Sequence, residues 1–131
     1  MSILTKIFGS SNNEEINTKP IIWKALTQIE QLEQIVEDSK HKPIAIFKHS
    51  TRCGTSRIVL KQFEKSFNLD TDSMDLYFLD LLTYREISNE VARKFEMLHQ
   101  SPQLLIIKNG KVVASASHYE VNGLSLEQFV A

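Results

Sequence analysis

Cys53 is the only cysteine of the chain, and it lies in a polar stretch, His49-Ser50-Thr51-Arg52-Cys53-Gly54. An apolar run, Ile44-Ala45-Ile46-Phe47, ends just before it, and a helical pattern begins just after it at Ser56, Leu60, Phe63 and Phe67. A cysteine at a strand-to-helix junction faces unsatisfied helix N–H groups and the positive end of the helix dipole, which favours thiolate over thiol. Lys48, His49, Arg52 and Arg57 add positive charge close by in sequence. The competing reading is a structural cysteine, a small core residue of no reactivity.

Ser56 follows three residues later, one helical turn on, in a C-x-x-S arrangement that matches the frame of the redox motif C-x-x-C. Ser56 shares the apolar stripe, so its side chain is expected to face inward. There its hydroxyl could donate to a thiolate, or simply serve the helix end, but it cannot resolve a mixed disulfide. A lone cysteine also rules out an intrachain disulfide and a multi-cysteine metal site. The histidines His49, His99 and His118 show no pair at ligand spacing, so no metal is expected.

The elements that must position Cys53 follow from periodicity. Ile21–Leu26 reads as a strand. Thr27 and Glu30 have capping-box spacing ahead of a helix carrying Ile29, Leu32 and Val36 to about Ser39. The run 44–47 is apolar on both faces, as in an interior strand, and Leu76–Leu79 is another. A third helix begins between Thr83 and Asn89 with Ile87, Val91 and Phe95 inward. Strands 103–108 and 111–116 flank Asn109-Gly110, a strong hairpin signal. Ser125 is placed to cap a last helix with Leu126, Phe129 and Val130. The order β-α-β-α-β-α-β-β-α predicts an α/β domain, residues 20–131, with parallel crossovers first, an antiparallel hairpin last and helices on both faces of a mixed four- to five-stranded sheet. Residues 1–19 read as an amphipathic piece (Ile3, Leu4, Ile7, Phe8) and a polar linker, a packed appendage or frayed end in preference to a membrane-surface helix.

Composition sets the outer bounds. Apolar residues make up 42% and charged residues 24% of 131, and four Gly with three Pro exclude low-complexity chains. Fifteen basic against sixteen acidic residues give a net charge of −1, so no global field draws nucleic acid. No window approaches the ~20 apolar residues of a membrane span, and the N-terminus lacks the form of a secretory signal. A reducing, cytoplasmic location is expected.

Pro102 opens the strand Gln103–Lys108. X–Pro bonds are cis in only about 5–6% of cases in folded proteins, so composition alone favours trans. A C-x-x-S at a strand-to-helix junction, followed by a Pro-led hairpin, resembles the thioredoxin fold, in which that proline is cis and lies beside the active-site cysteine. More closely, the chain resembles the thioredoxin-like monothiol bacilliredoxins of the YtxJ type, associated with bacillithiol. The stretches Phe47–Cys53, Tyr84–Asn89, His99–Gln103 and Ala116–Tyr119 carry the resemblance, which runs in order from about residue 21 to 131. One departure is Gly54-Thr55 where family members commonly place proline after the cysteine, and Gly weakens a first helical turn.

The resemblance implies that Cys53 attacks the mixed disulfide between a client protein and bacillithiol, with no tightly bound cofactor and bacillithiol as thiol co-substrate. It implies thiolate support from Ser56, Thr51 and His118, and substrate binding by Arg52, Ser101, Pro102, Gln103 and Arg85. Basic groups among these suit the carboxylates of the small thiol. His118 is otherwise a surface histidine at a strand end, and His49 and His99 are expected to be structural. A general disulfide reductase is disfavoured, because there is no second cysteine, no Trp before Cys53 and no carboxylate in residues 44–47. Alternatives are a glutathione- or coenzyme A-dependent monothiol oxidoreductase, an iron–sulfur carrier and a non-catalytic thioredoxin-like binding module.

Overall fold

A computed structural model describes residues 20–130. The expected amphipathic segment and linker at 1–19 lie outside the described residues, as does Ala131. Five strands, β1 (Trp23–Ala25), β2 (Ile44–His49), β3 (Asp75–Asp80), β4 (Gln103–Lys108) and β5 (Lys111–Ser117), form one sheet in the order β1-β3-β2-β4-β5. The helices are α1 (Gln31–Asp38), α2 (Gly54–Ser66) and α3 (Arg85–Lys94), followed by 3₁₀ turns at His118–Gly123 and Leu126–Phe129. β1, β3 and β2 run parallel, β4 lies antiparallel to β2, and β5 antiparallel to β4.

The central strands are buried on both faces because successive side chains alternate sides. Ile44, Ile46, Tyr77, Leu79, Leu105 and Ile107 pack with Leu32 and Ile35 of α1 and Ile87 and Val91 of α3. Ala45, Phe47, Leu76, Leu104 and Ile106 pack on the other side with Val59 and Phe63 of α2 and with Val121. This second face is aromatic: Trp23 lies 6.0 Å from both Phe47 and Phe63 and 5.5 Å from Phe78. The hairpin forms as expected, with Asn109 and Gly110 at φ 53° and 77°, the left-handed pair that a two-residue turn needs.

Three local expectations are corrected. The capping box of Thr27 and Glu30 does not form: α1 starts at Gln31 with no side-chain cap. Gln31 Oε1 instead accepts the N–H groups of Thr27 and Gln28 at 2.8 and 2.9 Å, and its amide donates to the Ala25 carbonyl. One glutamine satisfying three backbone groups takes the place of the local cap. The last helix is a 3₁₀ turn to which Ser125 gives no cap bond, since its side chains dock one by one on the α2 face. The Ser101–Pro102 peptide is cis, against composition and in line with the family resemblance.

Candidate active site

The site lies at the sheet edge where β2, β3 and β5 end and β4 begins. β2 finishes at His49, and the chain turns through Ser50–Arg52, with the Cys53 N–H donating to the Ser50 carbonyl at 3.2 Å. Cys53 is the N-cap of α2, in extended conformation (φ −102°, ψ 118°) and half-buried. The first amides of a helix have no helical acceptor, so α2 presents its positive end at the sulfur. Among the described residues none hydrogen-bonds to Cys53 Sγ, which stays free to react.

Ser56 faces inward, as expected, and is fully buried. Its hydroxyl is held 2.8 Å from His49 Nδ1 and accepts the Ser50 N–H at 3.1 Å, so Ser56 braces the turn that presents Cys53. The His49 ring also lies 5.4 Å from that of Phe78, tilted by 39°. Burial lowers the His49 pKa, helped by the Arg57 charge and opposed by Asp80 and Glu64. Thr51 is exposed, and its carbonyl accepts a bond from Arg57 Nη1 at 3.1 Å. The Arg57 N–H reaches the Cys53 carbonyl at 3.2 Å, so this arginine straps the turn from two points. Arg52 is exposed beside the cysteine, with its N–H on Ser50 Oγ.

The register Lys48↔Gln103 places Pro102 beside the end of β2, four residues before Cys53. Pro102 is buried, and its carbonyl accepts the His118 N–H at 3.0 Å. His118 stands exposed where β5 ends, at φ 56°. That left-handed conformation is uncommon for a non-glycine residue, although His adopts it more readily than most. Ser101 Oγ is buried without a hydrogen-bond partner. Gln103 is buried, its side chain bonded to the Leu98 carbonyl and the Gln100 N–H. Arg85 opens α3 at the same edge, and its charge acts on His99. The structure thus gathers Thr51, Arg52, Cys53 and Ser56 in one turn, with Ser101, Pro102 and His118 in the neighbouring one, while Arg85 belongs with His99 and Gln103 points into the fold.

In the sequence Lys48 reads as positive charge close to Cys53. It is fully buried, with Nζ 2.7 Å from His99 Nδ1. Burial pulls its pKa from 10.5 down to about 8. The signal was present: Lys48 and Gln103 interrupt strands whose other interior positions are aliphatic or aromatic.

Several solved structures share this architecture. A candidate oxidoreductase with a thioredoxin fold is 33% identical, with TM-score 0.69 over 82% of this chain and 92% of its own. The Malassezia sympodialis thioredoxin Mala s 13 matches at 20% identity and TM-score 0.68, covering 87% of this chain and 93% of that one. The reduced Schistosoma mansoni thioredoxin pre-protein matches at 23% and 0.62, covering 86% and 100%. The last two establish the fold alone. Residues 24–126 match the family Monothiol bacilliredoxin BrxC. A thioredoxin fold with one sulfur at the head of α2 is what monothiol exchange requires, and the chain belongs to the monothiol bacilliredoxin family of thiol–disulfide oxidoreductases.

Proposed function

We propose that Cys53 takes bacillithiol from protein mixed disulfides in the cytoplasm. The observation that carries this reading is the family match across residues 24–126, joined to a lone cysteine at the N-cap position of α2 and a cis-proline beside the end of β2. The Cys53 thiolate attacks the bacillithiol sulfur of the client's mixed disulfide. One S–S bond forms as another breaks, and the client cysteine leaves as a thiolate that takes up a proton. No net oxidation occurs. A second bacillithiol thiolate then attacks the Cys53 adduct, restoring Cys53 and leaving the symmetric small-molecule disulfide.

Thr51, Arg57 and Ser56 keep the turn that carries Cys53 in shape at the N-terminal end of α2. Arg52, Arg85 and His118 meet the carboxylates of the small thiol. Ser101 and Pro102 receive the client chain through their backbone, and Gln103 supports that wall from within.

Incubating reduced protein with the symmetric disulfides of bacillithiol, glutathione and coenzyme A, and following intact mass, tests the thiol assignment. A rapid adduct from bacillithiol, slow with the other two and missing in Cys53→Ser, is expected. Equal rates with all three would withdraw the assignment to bacillithiol, and an unmodified Cys53 would leave a binding module.

A further inference from the structure

Lys48 and Gln103 are register partners across β2 and β4, so their side chains leave the sheet side by side on one face. It is the face of Ile44 and Ile46, packed by α1 and α3. Both side chains reach the same short segment. The Gln103 amide donates to the Leu98 carbonyl at 3.0 Å, and its oxygen accepts the Gln100 N–H at 3.3 Å. Lys48 Nζ takes the residue between them, His99, at 2.7 Å from Nδ1. A lysine ammonium can only donate, so Nδ1 accepts and the imidazole proton sits on Nε2. Three consecutive residues are therefore held from inside by two side chains of the sheet. The chain runs on through Ser101 into Pro102, whose carbonyl is fixed by the His118 N–H.

We propose that Lys48 is a positioning residue, which together with Gln103 clamps Leu98–Gln100 from beneath and so sets where Ser101–Pro102 stands relative to Cys53 when a client chain docks. The proposal rests on the exchange reading above. Cohesion does not explain a cation at this place. Two and four residues earlier on the same face, Ile46 and Ile44 fill the equivalent positions with hydrocarbon, and an ammonium out of water is costly even when bonded. What hydrocarbon cannot do is hold His99 by a directed bond. The loop it holds carries Leu98, 82% exposed, an apolar side chain offered to an incoming protein.

The test uses Lys48→Met, His99→Ala and the double variant, with KM and kcat measured on a bacillithiolated protein and melting followed in parallel. Lys48→Met is expected to melt no lower than the wild type, yet to raise KM by about tenfold or more, with a smaller change in kcat. His99→Ala, at an exposed position, is expected to do the same. The double variant is expected to be no worse than either single, because both remove one interaction. The imidazole nitrogen shifts of His99 are expected to show the Nε2-protonated form in the wild type and a mixture in Lys48→Met. KM within about twofold of wild type in both singles, against a normally active wild type, would overturn the clamp. A wild type inert toward the bacillithiolated protein would instead overturn the exchange reading and the positioning role with it, while the nitrogen shifts would still report whether the bond exists.

Discussion

The two ends of the central strand pair β2–β4 are built from different materials. At one end, Ile44 faces Ile107 and Ala45 faces Ile106, all fully buried. The hairpin there is tied to Ser39: its carbonyl accepts the Asn109 N–H, its hydroxyl accepts the Gly110 N–H, and it donates in turn to Val36. At the other end, buried Lys48, His49, Ser50, Ser56 and Gln103 gather around the turn of Cys53 and the loop before Pro102. Buried polar groups cost free energy unless bonded, and they bond only in fixed directions. The first end is therefore made for cohesion, and the second gives up cohesion for orientation. A thiolate attacking along an S–S axis needs the second kind.

The sharpest way to break this contrast is at the sulfur. Cys53→Ser is expected to abolish adduct formation, with stability within about 0.5 kcal/mol of wild type, since the side chain is half-buried and loses no hydrogen bond. Mass spectrometry and a denaturant titration would show both. The opposite pattern is expected at Phe47, fully buried among Trp23 and Phe63. Phe47→Ala should lower stability by about 3–5 kcal/mol in the same titration.

Lys48 sharpens the comparison with a gain. The fall of its pKa from 10.5 to about 8 means that the fold disfavours the charged form by about 3 kcal/mol. Between pH 8 and 10 the unfolded chain holds a proton that the folded chain has released. Stability is thus expected to rise across that range, and Lys48→Met to remove the rise. On the acid side, burial is the leading cause that lowers the pKa of both His49 and His99. Their contribution is fully present above the ordinary histidine value of about 6.5 and is lost as pH falls through the depressed values. Urea midpoints at pH 5, 7 and 9 would check both limbs, and a flat profile would contradict them.

The smallest effect concerns Gly54. It opens α2, where proline is well tolerated. Cys53 before it is already extended, as a residue preceding proline must be. A Cβ at Gly54 meets only Arg57 Nη2, at 3.9 Å. Gly54→Pro is expected to stabilise by about 0.4–1 kcal/mol through the unfolded state, read as a shifted denaturation midpoint.

The cohesive end was legible in the sequence and the orienting end only in part. Ile44-Ala45-Ile46-Phe47 and Asn109-Gly110 declare a buried strand and a two-residue turn, because burial and left-handed φ leave few residue choices. Cys53 and the inward Ser56 were readable from helical spacing. The partners of those groups were not, because Lys48–His99 joins residues 51 apart and Ser56–His49 depends on how β2 turns into α2. The capping box failed for a similar reason: Thr27 and Glu30 have the right spacing, yet Gln31 reaches three backbone groups that spacing does not reveal.

The central claim, that Cys53 receives the small thiol from a client, is tested most directly by a single turnover. Reduced protein is mixed with a stoichiometric amount of a bacillithiolated protein, and both intact masses are followed. The mass of one bacillithiol is expected to leave the client as the same mass appears on Cys53, with no disulfide-linked protein pair accumulating. A client that keeps its adduct, or loses it while Cys53 gains nothing, would contradict the claim.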